Sequence, residues 1–405
     1  MRANAGALRT ECPVVALVTG CEPTPVKTSA AILLLLLLAL CQPALATKHR
    51  GVWFWRDAGS PYGADNIVGV AGLENATVAF FGSHSIRRVY GSYGDRPITA
   101  PAVIATWNSK LHGAGLQSQS LLSENTWIQT AIRPALLTLI TTRVLNFNAG
   151  RPATEKFDGL HLDIEPQALP EWSGLTPAQK RAYLLLLRDT YADVRAHLVS
   201  AGQPTFPVYA DLPVWFDNLP VDGGSIGWLN AADRDLWFAS IAVSLTGITL
   251  MPFDRQTFTS INSGVMWERA NVTGAVVRTG LEADIGVGLT WASLPNFNAM
   301  METVEAAYGP TGAVDIQSYR QWREAIAAQP IIPVSALHLA HTALGADLVF
   351  PAEPLWTHVI LYSPNLCNWQ EIARYRGASS AQISHPVDMR ATRGYWQVFR
   401  FQELE

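Results

Sequence analysis

Charge and cysteine are what this 405-residue chain has least of. Only 15% of its residues are charged, the formal net charge is -4, and no run of lysine or arginine stands out. Nucleic acid and anionic membrane surfaces are bound through concentrated basic charge, so neither is expected as a partner. Of the four cysteines, Cys12, Cys21 and Cys41 all fall near the start, which leaves only Cys367 in the body of the chain. No intramolecular disulfide is therefore expected, and stability has to come from the core. The material for a core is present, since 49% of residues are hydrophobic and 14 are Trp, too apolar a composition for disorder. Internal repeats and low-complexity segments are lacking outside the first 46 residues.

Long apolar runs are scarce as well. The longest, Ala30 to Leu40, has Lys27 before it and Ala44-Leu45-Ala46 behind it. That is the pattern of a secretory signal peptide over residues 1–46, too short for a membrane span, with cleavage after Ala46. The expectation is a secreted or periplasmic protein with no membrane span.

Beyond residue 46 strand-like and helix-like stretches alternate. Strands are expected at Gly51 to Trp55, Ala76 to Phe81, Leu116 to Leu122, Phe157 to Pro166, Val208 to Trp215, Ile248 to Phe253, Ile285 to Trp291 and Val334 to Ala340. Helices fall between them, at Ala100 to His112, Trp127 to Leu145, Ala231 to Ser240, Leu294 to Ala307 and Ala313 to Ala328. The clearest begins at Thr176-Pro177-Ala178-Gln179, a capping box followed by Leu184, Leu187, Tyr191, Val194 and Leu198 at helical spacing. Eight strands alternating with helices imply parallel pairing, and the fold class expected is α/β, a (β/α)8 TIM barrel over residues 47–348. Residues 349–405 are expected to form a C-terminal extension packed on that barrel, with one strand-like run at Trp356 to Tyr362.

One stretch is unlike an ordinary core strand. In Phe157-Asp158-Gly159-Leu160-His161-Leu162-Asp163-Ile164-Glu165-Pro166, Leu160, Leu162 and Ile164 share one face and His161, Asp163 and Glu165 the other. Burying two unpaired carboxylates would cost several kcal/mol each. The pattern suits a strand whose polar face looks into a barrel mouth, where catalytic residues of such barrels lie. Two carboxyls side by side raise one another's proton affinity, which makes Glu165 a candidate general acid and Asp163 its support.

Asp158-Gly159-x-His161-x-Asp163-x-Glu165 resembles the D-G-x-D-x-D-x-E signature of chitinase-type (family 18) glycoside hydrolases. Met251-Pro252-Phe253-Asp254, about 85 residues further on, looks like the M-x-Y-D of the same family. The resemblance implies a carbohydrate substrate, Glu165 as the acid that protonates the glycosidic oxygen, and Asp163 as the residue that orients an acetamido group. It also implies a sugar subsite lined by Met251 and Asp254. The chain departs from the pattern at His161, where the family has Asp, and at Phe253, where it has Tyr. Gln117 and Gln119 stand where its third strand is rich in serine and glycine, and Gln117 is expected among the substrate contacts together with His161, Asp211 and Phe253.

Without acetamido assistance a second protein carboxylate is needed, and Asp254 and Asp211 are the candidates. Beside these stand plainer readings: Asp211 as an ion pair inside the barrel, Asp254 as a partner of Arg255 or a helix cap. Trp55, Tyr209, Trp215, Phe216, Phe253 and Trp291 lie near expected strand ends, where flat rings stack on sugars, though each is equally an ordinary core filler.

Two other readings compete. A carbohydrate-binding barrel without catalysis fits the substitutions at His161 and Phe253. His49-Arg50-Gly51 resembles the triplet of metal-dependent glycerophosphodiesterase barrels, but no acidic pair follows on the expected second strand. His338 and His341 lack carboxylate company, so no metal site and no cofactor is expected.

Overall fold

The computed structural model describes residues 48–309 and 311–328, then the segments 332–333, 337–342, 345–352, 357–363, 370–375, 382–387 and 395–401. The expected signal peptide, its cleavage site and all four cysteines lie outside these residues. The described residues divide into two compact units, one within 48–328 and one within 332–401.

The first unit is a closed barrel of eight parallel strands in sequence order, β8 pairing with β1 to close it. The strands are β1 (His49–Phe54), β2 (Ile86–Gly91), β3 (Gln117–Ser123), β4 (Gly159–Asp163), β5 (Val208–Pro213), β6 (Gly247–Met251), β7 (Val276–Glu282) and β8 (Thr311–Gln317). Helices fill the connections: α1 (Ala71–Ser83), α2 (Pro101–Gly113), α3 (Arg133–Leu139), α4 (Pro177–Ser200), α5 (Ala231–Ser244), α6 (Phe258–Asn271), α7 (Leu294–Tyr308) and α8 (Tyr319–Ala327). The expected (β/α)8 architecture is the one observed.

Between the strands' outer face and the helices lies the main apolar core, including Val52, Phe54, Leu160, Leu162, Leu212, Ile248 and Leu250. Helix α4 shows how local sequence sets an element. The Thr176 hydroxyl accepts from the Gln179 amide at 3.4 Å, the Gln179 side chain accepts from the Thr176 amide at 2.8 Å, and Pro177 occupies the first turn. Leu184, Leu187, Tyr191, Val194 and Leu198 form its buried stripe. Thr176→Ala is expected to lower unfolding stability by ~1 kcal/mol, read from chemical denaturation, because the Gln179 amide at the helix start loses its acceptor and the Gln179 side chain loses the hydroxyl bonded to it at 2.9 Å.

Three strands stand elsewhere than expected. Residues 76–81 belong to α1, whose buried positions Glu74, Thr77, Phe80 and Phe81 follow a helical period, and the second strand is Ile86–Gly91. The seventh is Val276–Glu282, while Ile285 and Trp291 meet only in an isolated bridge beyond it. The eighth is Thr311–Gln317, taken from the front of an expected helix, so that only Tyr319–Ala327 is helical there. The reason is common to all three. These strands carry Arg88, Arg278 and Asp315 on the barrel's inner face, and charges inside a strand hide its apolar period.

Inside the barrel Arg88 Nη2 donates to Asp315 Oδ1 at 2.8 Å and the Thr249 hydroxyl to Asp315 Oδ2 at 2.7 Å. Burial alone would raise the Asp315 carboxyl, but Arg88 and Arg278 override it and hold it below the usual range. Gly51 on β1 is required here, since a Cβ would collide with the Asp315 carboxylate and the Tyr90 hydroxyl. The His49-Arg50-Gly51 triplet is thus structural: Arg50 points outward into a bidentate pair with Glu305 of α7, at 2.6 and 2.9 Å.

Among its described residues the second unit is all β, a three-stranded antiparallel sheet and a four-stranded one. Its strands are β9 (Ile332–Pro333), β10 (His338–Thr342), β11 (Gly345–Pro351), β12 (Thr357–Ser363), β13 (Gln370–Tyr375), β14 (Gln382–Val387) and β15 (Tyr395–Phe401). Leu348, Phe350, Ile360, Ile383 and Val398 give it a core of its own. Residue 348, the expected limit of the barrel, lies inside β11, and His338 and His341 lie on β10.

Candidate active site

Strand alternation places His161 and Asp163 of β4 on the barrel's inner face, and Glu165 continues that face just past the strand end. The approach to β4 is braced at Asp158, whose Oδ2 accepts from the Ser118 amide and meets His112 Nε2, both at 2.7 Å. At the far end the Glu165 amide donates to Asn125 Oδ1 at 2.8 Å. The three polar side chains therefore form a column rising from the interior to the mouth.

His161, its floor, is fully enclosed, stacked on the Tyr90 ring at 4.0 Å and edge-on to Trp53. Its Nε2 lies 2.8 Å from Asp211 Oδ1 and its Nδ1 3.2 Å from Gln119 Oε1. Burial pushes its proton affinity down to about 3, so the ring is neutral at ordinary pH. Asp211 on β5 is equally enclosed and also accepts from Trp53 Nε1 at 3.1 Å.

Asp163 is 8% exposed. The Ser123 hydroxyl donates to its Oδ2 at 3.3 Å, while Oδ1 has no protein partner. Burial first, and the nearby Glu165 carboxyl after it, push it well above the usual carboxylate range. Glu165 is half-buried and accepts from Gln167 Nε2 at 2.5 Å. Burial raises it too, with the bonds from Asp163 and Gln167 opposing. An acid that keeps its proton toward neutral pH and is still reachable from solvent is equipped to protonate a leaving group.

The other expected site residues divide. Trp55 is half-buried over the inner cluster of Trp53, Tyr90 and Leu121, and Met251 is half-buried at the end of β6 on the face of Thr249. Both belong to the mouth. Phe253 is half-buried and Asp254 exposed in the turn after β6, and Asp254 acts electrostatically on Glu282 of β7. Trp215 packs beside Trp172, 6.1 Å between rings, in the loops that follow β5 and β4.

Four expected substrate contacts are corrected, and His161 and Asp211 are two of them, each fully enclosed beneath Asp163 with its polar atoms turned to protein partners. Gln117 is exposed at the opening of β3, the end opposite the carboxyls, and Gln119 takes the place expected for it. Trp291 is only 3% exposed, packs against Phe297 and donates to the Glu282 carbonyl at 2.6 Å, so it is chiefly a core side chain. Trp53, Arg88, Arg278, Glu282 and Asp315 were not singled out from sequence. Glu282 follows from alternation once β7 is placed at Val276–Glu282, since it shares a face with Arg278 and Gly280 and ends the strand at the mouth. Burial, then Asp284 and Asp254, raise its proton affinity.

A second perturbed acid pair lies outside the column. Glu268 of α6 is 1% exposed with neither carboxyl oxygen hydrogen-bonded, and Asp217 lies near it in the loop after β5.

The fold and site define a (β/α)8 barrel with a carboxyl column at the C-terminal ends of its strands. No family model and no curated protein matches the chain. Among solved structures it is similar to an endo-beta-N-acetylglucosaminidase from Cordyceps militaris, at 12% identity and TM-score 0.42, over 75% of this chain and 90% of that one. A family GH18 chitinase from Chromobacterium violaceum matches at 11% and 0.40, over 69% and 81%. The tamarind chitinase-like lectin matches at 12% and 0.39, over 68% and 96%.

Proposed function

We propose that this chain is a divergent chitinase-type glycoside hydrolase acting on a polysaccharide, with Glu165 as general acid and Asp163 in support. The observation that carries the reading is the column itself: a half-buried Glu165 of raised proton affinity, directly above a buried Asp163 with one oxygen unpartnered. A polar group of the substrate supplies the missing partner of Asp163 Oδ1, and Trp55 and Met251 offer apolar surface to a ring. Of the two carboxylates considered for a base, Asp211 is enclosed below the site and serves Asp163 instead. Asp254, with Glu282 behind it, stands at the mouth where water reaches it.

A carbohydrate-binding barrel without catalysis is the second reading, favoured by one feature. His161 puts a neutral ring where the related signature has a carboxyl, and Phe253 has no hydroxyl to offer a substrate. A panel of polysaccharides incubated with the protein and scored for new reducing ends separates the two. Release of ends supports the hydrolase, and binding without release supports the second reading. A secreted or periplasmic location is part of the proposal and rests on the leader sequence alone.

A further inference from the structure

The hydrogen bonds beneath Asp163 run in one direction. Trp53 Nε1 has only a proton to give, and it gives it to Asp211 Oδ2 at 3.1 Å. At the other end Gln119 presents its carbonyl oxygen Oε1 to His161 Nδ1 at 3.2 Å, and with the amide in this orientation Nδ1 is the ring's donor. A neutral imidazole with its proton on Nδ1 has only a lone pair at Nε2. That lone pair faces Asp211 Oδ1 at 2.8 Å, a contact that is a hydrogen bond only if Oδ1 carries a proton. In the reverse order Asp211 would be ionised and Nε2 the donor, leaving two acceptors, Nδ1 and Oε1, facing one another.

From this geometry we infer that Asp211 is held as the neutral carboxylic acid, donating to His161, and acts as a positioning residue that leaves Asp163 and Glu165 the only carboxyls of the column free to ionise. The surroundings agree. Arg88, the nearby cation on β2, is already bonded to Asp315 and to the Tyr90 hydroxyl. Arg278 of β7 lies over the Tyr209 ring at 5.1 Å. Burial is the largest influence favouring the protonated form of Asp211; the Trp53 hydrogen bond opposes it, and the carboxyls of Asp315 on β8 and Glu165 just past β4 favour it. The Tyr191 hydroxyl of α4 is raised first by its burial and then by the carboxyls near it.

The consequence for the site rests on the reading of Glu165 as the acid. When Glu165 gives its proton to a leaving oxygen, negative charge appears beside Asp163. A neutral acid on the floor spares that charge a second carboxylate below it.

The test needs no substrate. The full chain is labelled with 15N-histidine and 13C-carboxyl Asp and Glu, and followed by NMR from about pH 5 to 8, the range in which a free imidazole titrates. The expected result is a neutral His161 with its proton on Nδ1 throughout, and an Asp211 carboxyl carbon at the protonated shift. Asp211→Asn keeps both hydrogen bonds, its amide donating to Nε2 and its oxygen accepting from Trp53. It is therefore expected to leave the Asp163–Glu165 titration in place. A proton on Nε2 in the wild type overturns the inference, as does a fall of about one unit or more in that titration in Asp211→Asn, the mark of a lost negative charge. The wild-type measurement stands whether or not the variant folds. A protein that cleaves no glycan leaves this result intact, and the wrong tautomer leaves the hydrolase reading intact.

Discussion

Glu165→Gln is expected to abolish glycan cleavage by a factor on the order of 10²–10⁴ while leaving glycan binding within a few-fold, because the amide keeps the shape and loses only the transferable proton. Reducing-end release and calorimetric binding, run on the same polysaccharide, read the two effects separately. A variant that cleaves at the wild-type rate removes Glu165 from the mechanism. The pH dependence follows from the site. Burial raises the Glu165 carboxyl, so the protonated, active form persists to higher pH than an ordinary glutamic acid would allow. Activity that depends on this acid is full below the raised value and falls as pH rises through it. An alkaline limb at or below about 4.5, the ordinary value, counts against the assignment.

Glu268→Gln is expected to make the protein more stable, and increasingly so as pH rises. Glu268 is enclosed on α6 with no hydrogen-bond partner, and burial, then the carboxyl of Asp217, push it up to about 9. Asp217 is raised to about 6 by burial, which Arg234 and Arg255 partly offset. For an acid raised in the folded state, the unfolded chain releases its proton first. Its stabilising contribution is complete below the unfolded value near 4.5 and is lost as pH rises through the folded value of about 9. The wild type therefore loses stability across that window, by up to about 1.4 kcal/mol per pH unit, and the glutamine variant lacks this loss. The difference reaches on the order of 5 kcal/mol near pH 8, measured as denaturation free energy in matched buffers. Parallel stability–pH curves for the two proteins would show that Glu268 finds charge compensation when folded.

The mouth was the most legible part of the chain. The alternation of His161, Asp163 and Glu165 against Leu160, Leu162 and Ile164 is local and binary, and the barrel places it as alternation requires. The capping box at Thr176 and the stripe behind it were legible for the same reason, since cap and period both lie within a few turns. Trp291 misled because an aromatic near a strand end reads the same whether it faces a sugar or a core. Gln117 misled by two residues along the correct face.

What the sequence by itself determined, then, is the alternating plan of strands and helices, the polar face of β4 and the pairing of Glu165 with Asp163, all set by short-range periodicity. Only the tertiary structure decided where β2, β7 and β8 run and what lies under the column. Arg88, Arg278 and Asp315 read as breaks in their own segments, because a charge cannot be buried alone. Closing the barrel brings Arg88 to within 2.8 Å of Asp315 across 227 residues, and carries Asp211 to within 2.8 Å of His161. Their compensation exists only between strands, and no single stretch of sequence contains it.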